Sequence, residues 1–354
     1  MKKIDRYIAQ NIYGLTGIVA LALVAIYTFI SFVADIDQTG QGSFGIGKLL
    51  AYTLMLMPDA LYTLLPIIAM LGTLMGLGSL ASQGELTAMR AAGVSLMRIG
   101  RATILAGLLL GLFSLLLGDW LAPEGIRLAE AYRSSARYGV QPGISGKPVW
   151  LREGTHVFHI QRLLAEDHIA DVEVFSLKPD FSLASTMHVD DGHYAGGKWD
   201  FSGVRVTQFD EQGAHASHQA TLQWEGNLSP EVLHLFVLEA DTLSAPGLAR
   251  LIAYLDLNNL DASQYRLALW RKLVAPVTVV AMMLFAVPFV IGPLRNTGAG
   301  QRLLVGVLIG VAFYVLNEVC ASLGQLYGWP PSIAAATPTL SLWGFGLARL
   351  SRLR

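Results

Sequence analysis

The chain has 354 residues, 53% hydrophobic and only 14% charged, with a mean hydropathy of +0.48 and a formal net charge of −1. That balance excludes an ordinary soluble domain, in which about a quarter of residues are charged. The near-zero net charge says little about partners, because the charges gather at the ends of apolar blocks and in the middle third. Cys320 is the only cysteine, so neither an intrachain disulfide nor dithiol chemistry is available.

Lys2, Lys3 and Arg6 precede a first apolar run that is too long for a signal peptide and lacks a small-residue cleavage motif, so it reads as a retained anchor. A helix needs about 20 apolar residues to cross the hydrocarbon core. Six segments qualify, at roughly 12–34, 50–80, 100–122, 268–292, 303–324 and 331–348. Pro58 and Pro66 predict kinks in the second span, and Pro276 and Pro288 in the fourth. Basic residues cluster before span one (Lys2, Lys3, Arg6), between spans two and three (Arg90, Arg98, Arg101), between spans four and five (Arg295, Arg302) and at the end (Arg349, Arg352, Arg354). The bias of cytoplasmic loops toward Lys and Arg puts these four sets and both termini inside the cell. The loops 35–49 and 325–330 and the middle of the chain then lie outside.

Between spans two and three, Ser82 to Gly93 predicts a short cytoplasmic helix at about 84–93: Glu85 sits in the first turn and Gly93 is a C-terminal stop. Leu86, Met89 and Arg90 share a face at helical spacing. The segment is either an interfacial amphipathic helix or a coupling helix that docks on a motor protein.

After span three the pattern changes. Stretches such as Val149-Trp150-Leu151, His156 to Ile160, Val172 to Phe175 and Val204 to Thr207 are short and rich in β-branched and aromatic residues. Lys178-Pro179-Asp180, Asp191-Gly192, Gly196-Gly197 and Asp210 to Gly213 supply turns between them. This predicts an all-β insert, as a sandwich, jelly roll or open barrel, followed by a helix over 246–265. All eight histidines fall in this insert. Their spacing argues against a metal site, since His156 and His159 sit an odd number apart on one strand and face opposite ways. The domain ranges are 1–135 for the first three spans, 136–248 for the insert, and 249–354 for a connecting helix and the last three spans.

Arg133, Arg137, Arg266, Arg271 and Lys272 fall at the outer ends of spans three and four, against the inside bias. They either pair with Asp119, Glu124, Glu130 and Glu318 or receive phosphates of an outer-leaflet amphiphile. Asp59 and Glu318 also suggest a proton relay. Gly72 with Gly76, Gly107 with Gly111, and Gly306 with Gly310 permit close helix approach, within the chain or to a partner. No phosphate loop, nicotinamide fingerprint or zinc-helix motif occurs, so any ATP that drives this protein is hydrolysed on another polypeptide.

Several motifs in order give the chain a resemblance to a known family. They are Ile4-Asp5-Arg6-Tyr7-Ile8, Gly40-Gln41-Gly42-Ser43-Phe44, Glu85 to Gly93, Gly118 to Gly125, Tyr132-Arg133, Ile291-Gly292-Pro293-Leu294-Arg295 and Tyr327-Gly328-Trp329-Pro330-Pro331. Together they resemble the LptF/LptG family of lipopolysaccharide-export permeases nearly end to end. The resemblance implies a six-span helical protein of the Gram-negative inner membrane with a periplasmic jelly-roll-like insert. It implies a permease subunit that is not itself an enzyme and binds no cofactor, and that extracts lipopolysaccharide from the periplasmic leaflet. The implied partners are an LptF-type subunit, two LptB ATPases, LptC and the LptA bridge. It assigns Glu85, Leu86, Met89, Arg90 and Gly93 to ATPase coupling. Headgroup contact falls to Arg133 and Lys272, which match basic positions of relatives, with Arg271, Arg137 and Glu318 beside them. The rival classes are a proton-driven secondary transporter and a non-transporting membrane scaffold.

Overall fold

A backbone in hydrocarbon must satisfy its own hydrogen bonds, which long apolar runs do by forming helices. The computed structural model describes residues 3–138, 148–165, 167–180, 182–210, 213–226, 228–237, 240–292 and 297–352. The turn at Asp210 to Gly213 and the motif ending in Pro293-Leu294-Arg295 fall partly outside them. The chain divides into two compact units.

The first unit comprises Met1–Ala34, Leu56–Gly125 and Arg266–Arg354. Five helical runs are long and apolar enough to cross a membrane: α1 (Lys3–Ala34), a run over Leu96–Arg137, and three more whose ranges follow. The second span is not a kinked helix starting near residue 50. It is two helices, α2 (Ile46–Met55) and α3 (Met57–Ser82), broken at Leu56. Pro58 sits at the start of α3, where its missing N–H costs nothing. After α4 (Glu85–Ala91), the run Leu96–Arg137 consists of α5 (Leu96–Leu116), a π turn (Leu117–Leu121) and α6 (Ala122–Tyr138). The remaining apolar helices are α9 (Ser263–Ile291) and α10 (Ala299–Leu326). The expected sixth span is also a helix, α11 (Pro331–Arg352). Ser332, Thr337, Pro338, Thr339 and Ser341 dilute its apolar content, and it does not join the five.

The small-residue pairs pack within the chain. A Cβ on Gly72 would lie 2.0 Å from Thr16 Oγ1, and one on Gly76 would lie 2.9 Å from Ile12 Cα, so α1 and α3 meet backbone to backbone. Gly107 and Gly111 face Val280, Met283 and Pro276 of α9, while Gly306 and Gly310 receive Leu71, Leu74 and Ile67 of α3.

The second unit comprises Asp35–Met55 and Ile126–Tyr265. Its β1 (Val149–Glu153), β2 (His156–Ala165), β3 (His168–Leu177), β4 (Leu183–Ala195), β5 (Lys198–Asp210) and β6 (Gly213–Trp224) form one antiparallel sheet in chain order. Among the described residues the expected jelly-roll-like insert is therefore a six-stranded meander. The strand period of two breaks at one level. Ile160, Val172, Val189 and Val204 form one buried cross-strand row, and Leu163, Ile169, Gly192 and Phe201 form the next. Each strand thus steps three residues, not two, between rows, and Asp171 in the gap takes a φ of 51°. A bulge-like step of this kind bends a strand; aligned across four strands it turns a corner in the sheet. Both halves thereby keep their apolar residues against one core, which holds Phe158, Trp199 and Phe201 and is joined by Leu233 of α7 (Pro230–Val237). Trp199 Nε1 donates to Leu228 O at 2.7 Å. The helix expected over 246–265 ends early as α8 (Ala245–Leu257), where Tyr254 donates to Arg152 O at 3.3 Å; burial pushes that phenol above its ordinary range.

Candidate functional site

The segment between α3 and α5 is built as a bracketed helix. Gly84 precedes α4 at a φ of 77°, and Gly93 follows at 87°. Gly93 N–H donates to Arg90 O and Val94 N–H to Met89 O, both at 3.0 Å, the double bond of a Schellman stop. Ser95 then caps α5 by accepting from Arg98 N–H. Leu86 is buried, Met89 is half-buried and packs on the same core, and Arg90 is exposed. Along that face exposure rises from Leu86 through Met89 to Arg90: the first two anchor the helix and the third reaches solvent.

Glu85 is held from within the chain. Tyr7 Oη donates to Glu85 Oε2 at 2.8 Å, and two residues earlier on α1 Asp5 Oδ1 accepts from Arg98 Nε at 3.2 Å. The opening motif of α1 is thereby tied to both ends of the 85–98 segment. Sequence reasoning missed this link, because nothing local pairs residues 78 and 93 positions apart.

The basic residues separate into two groups. In the second unit, Arg133 Nη2 donates to Glu130 Oε2 at 2.7 Å, its Nη1 reaches Gln38 Oε1 at 3.4 Å, and its guanidinium lies 5.1 Å from the centre of the Tyr52 ring. Arg137 shares Gln38 at 3.2 Å and also donates to Gln41. The Gly40–Phe44 motif makes this clamp possible: Ser43 donates twice to Ala136 O, and Phe44 is fully buried. Gly42 has a φ of 58°, and a Cβ there would sit 2.3 Å from Arg137 O. Gly42→Ala is therefore expected to cost at least about 1–2 kcal/mol from the left-handed backbone alone, read as a lowered Tm of the full chain in detergent.

In the first unit, Arg271 Nη2 pairs with Glu318 Oε2 at 3.0 Å, one of the acid partners the sequence offered for these cations. Asp59 lies in the first turn of α3. Lys272 is 8% exposed, with Nζ donating to Gly118 O at 2.6 Å and lying 5.3 Å from the Tyr62 ring centre. The π turn presents that carbonyl. Pro123 has no N–H and its ring crowds the turn before it, and a widened turn relieves this. The Gly118 Cα packs so closely on Tyr62 that a Cβ would lie 2.6 Å from the ring.

Several histidines serve ion pairs within the sheet. His159 meets Glu173 and His215 meets Asp210 across strands, while His188 meets Asp190 along β4. Separately, His168, Asp191 and His193 come together, which their sequence spacing did not suggest.

Apolar helices of spanning length, interrupted by a separate sheet domain and joined at one turn by a short, doubly stopped helix, define a multi-pass membrane protein. Residues 6–352 match the family described as lipopolysaccharide export system permease LptF/LptG, and the chain belongs to that family. It is 31% identical to the lipopolysaccharide export system permease protein LptG of Escherichia coli (strain K12), over 99% of this chain and 98% of that one. It is 30% identical to the protein of the same name from Haemophilus influenzae, over 95% of each.

Proposed function

We propose that this chain is a permease subunit of a lipopolysaccharide exporter of the Gram-negative inner membrane. Both termini and α4 face the cytoplasm, and the sheet domain faces the periplasm. Family membership supports the cargo, since the relatives carry lipopolysaccharide export in their names. The observation that carries the mechanism is α4: a short helix stopped at both ends, rooted by Leu86 and Met89, with Arg90 exposed.

In this reading an LptF-type subunit completes the cavity, and two LptB ATPases close against α4 of each permease. Because Asp5 and Tyr7 bind Arg98 and Glu85, a push on α4 is delivered to α1 and α5 together. Such motion narrows the cavity and drives the amphiphile toward the sheet domain and on to LptC and LptA. The chain binds no cofactor in this scheme, as ATP stays on the partner. Apolar helix faces hold acyl chains. Each unit offers its own basic groups to headgroup phosphate: Arg133 and Arg137, which exchange Glu130 and Gln38 for the ligand, in the second, and Lys272 and Arg271 beside Glu318 in the first. Reconstitution with LptF-type and LptB subunits in liposomes tests it. ATP-dependent release of lipopolysaccharide to a periplasmic acceptor is expected, and release without the ATPase would overturn it.

A further inference from the structure

The inserted sheet carries a group of metal-ligating side chains that the export mechanism does not use. His168 and His193 are direct cross-strand partners, and Asp191 lies two residues along β4 from His193, so all three share one face. That face is opposite the core, since the intervening Ile169 and Gly192 are buried. His168 Nε2 lies 2.5 Å from Asp191 Oδ1 and His193 Nε2 lies 3.2 Å from Asp191 Oδ2. The two imidazoles stack with centroids 3.9 Å apart and a tilt of 24°. Candidate donor atoms of the three residues all lie within 4.8 Å of one another.

We propose that His168, Asp191 and His193 bind a divalent late first-row transition ion, with zinc as the working case, and leave one coordination position open. This inference is independent of the export reading. Two imidazoles and one carboxylate suit zinc and its neighbours, whereas calcium and magnesium require a shell of oxygens. The spacing is close to that of a bound set. Ligand atoms about 2.0–2.1 Å from a tetrahedral zinc stand roughly 3.3 Å apart. Binding needs only that the stacked rings turn until their lone pairs converge. His193 is free to do so, its side chain being 57% exposed.

The backbone does the positioning. Both strands are in continuous register here, and Tyr194 N–H closes the strand end by donating to Asp167 O at 2.8 Å. Asp200 stands opposite His193 on β5, held by Gln223, and adds negative potential next to the ligands. A bound ion would tie β3 to β4 just beyond the corner of the sheet.

The test uses the untagged full chain in detergent, stripped of metal and titrated with zinc against a chromophoric chelator. One equivalent of zinc per chain is expected. Asp191→Asn and His193→Gln should each weaken it by more than about tenfold, the scale on which even outer-shell changes register. His188→Gln, which removes a histidine paired with Asp190, should leave it unchanged. His193→Gln guards against misfolding, because that side chain is largely exposed. Zinc should raise the Tm of the wild type and not that of Asp191→Asn. Absence of a zinc equivalent, its retention in both ligand variants, or equally tight binding of calcium would each overturn the proposal.

Discussion

Lys272→Glu is expected to destabilise the helical unit by about 3–5 kcal/mol, the cost of a buried charge left uncompensated. Lys272 is 8% exposed, and its ammonium makes a charge-assisted bond to Gly118 O and lies near the Tyr62 ring. A carboxylate there would meet a carbonyl oxygen and the negative face of an aromatic ring, and both repel it. Lys272→Met should do less harm, about 1–3 kcal/mol, because it leaves Gly118 O short of a donor without adding a negative charge. Thermal unfolding in detergent measures both. An unchanged Tm for the glutamate variant would mean that this side chain can leave its site at no cost, and the structural role assigned to it would fall. Export by the folded fraction of Lys272→Met then reports separately on headgroup contact.

In the proposed assembly, Glu85→Ala is expected to lower the affinity of the permease for an LptB-type ATPase by at least about 2 kcal/mol, roughly thirtyfold, the cost of removing one partner of a desolvated charge pair across that interface. Tyr7→Phe provides the control. It removes the donor that holds Glu85 from within the chain while leaving the carboxylate intact, so ATPase binding should survive. Transmission from α4 to α1 should weaken instead, lowering export per ATP hydrolysed. Quantitative copurification and coupled ATPase and release assays separate the two effects. Equal loss of ATPase binding in both variants would show that the tie to α1, and not the carboxylate itself, builds the docking surface.

What the sequence displayed depended on the range over which each force acts. Apolar runs are local, so the long helices were legible, as was the abrupt change to β-branched strands near Val149. The helix stop at Gly93 was legible too, because a left-handed residue has a strong compositional preference. The break at Leu56 was not: Pro58 signals an interruption, yet a kink and a new helix start read alike until the partners of the preceding turn are known. The division of labour on α4 was not legible for a related reason, since periodicity aligns Leu86, Met89 and Arg90 but does not say which of them the core takes. The basic residues stand out against the inside bias in the sequence, where pairing with acids such as Glu130 and Glu318 is one of two readings left open. Gln38 and Gly118 O escaped notice, being a neutral amide and a backbone carbonyl with no charge to advertise them. The histidine trio was hidden in strand register, which only the fold supplies.

The three-residue step through β2 to β5 sets a reading frame for the domain. Upstream of the corner one parity of residues is inward, and downstream the other parity is. Removing a single residue at Gln161, Asp171, Asp190 or Gly203 would restore plain alternation to that strand, and one of its halves would turn its greasy side chains outward. Length changes at this level are therefore tolerable only when made in adjoining strands together, so the four strands constrain one another as a set. The hairpin tip at Gly196-Gly197, beyond the last paired residues, is under no such obligation and can lengthen by itself.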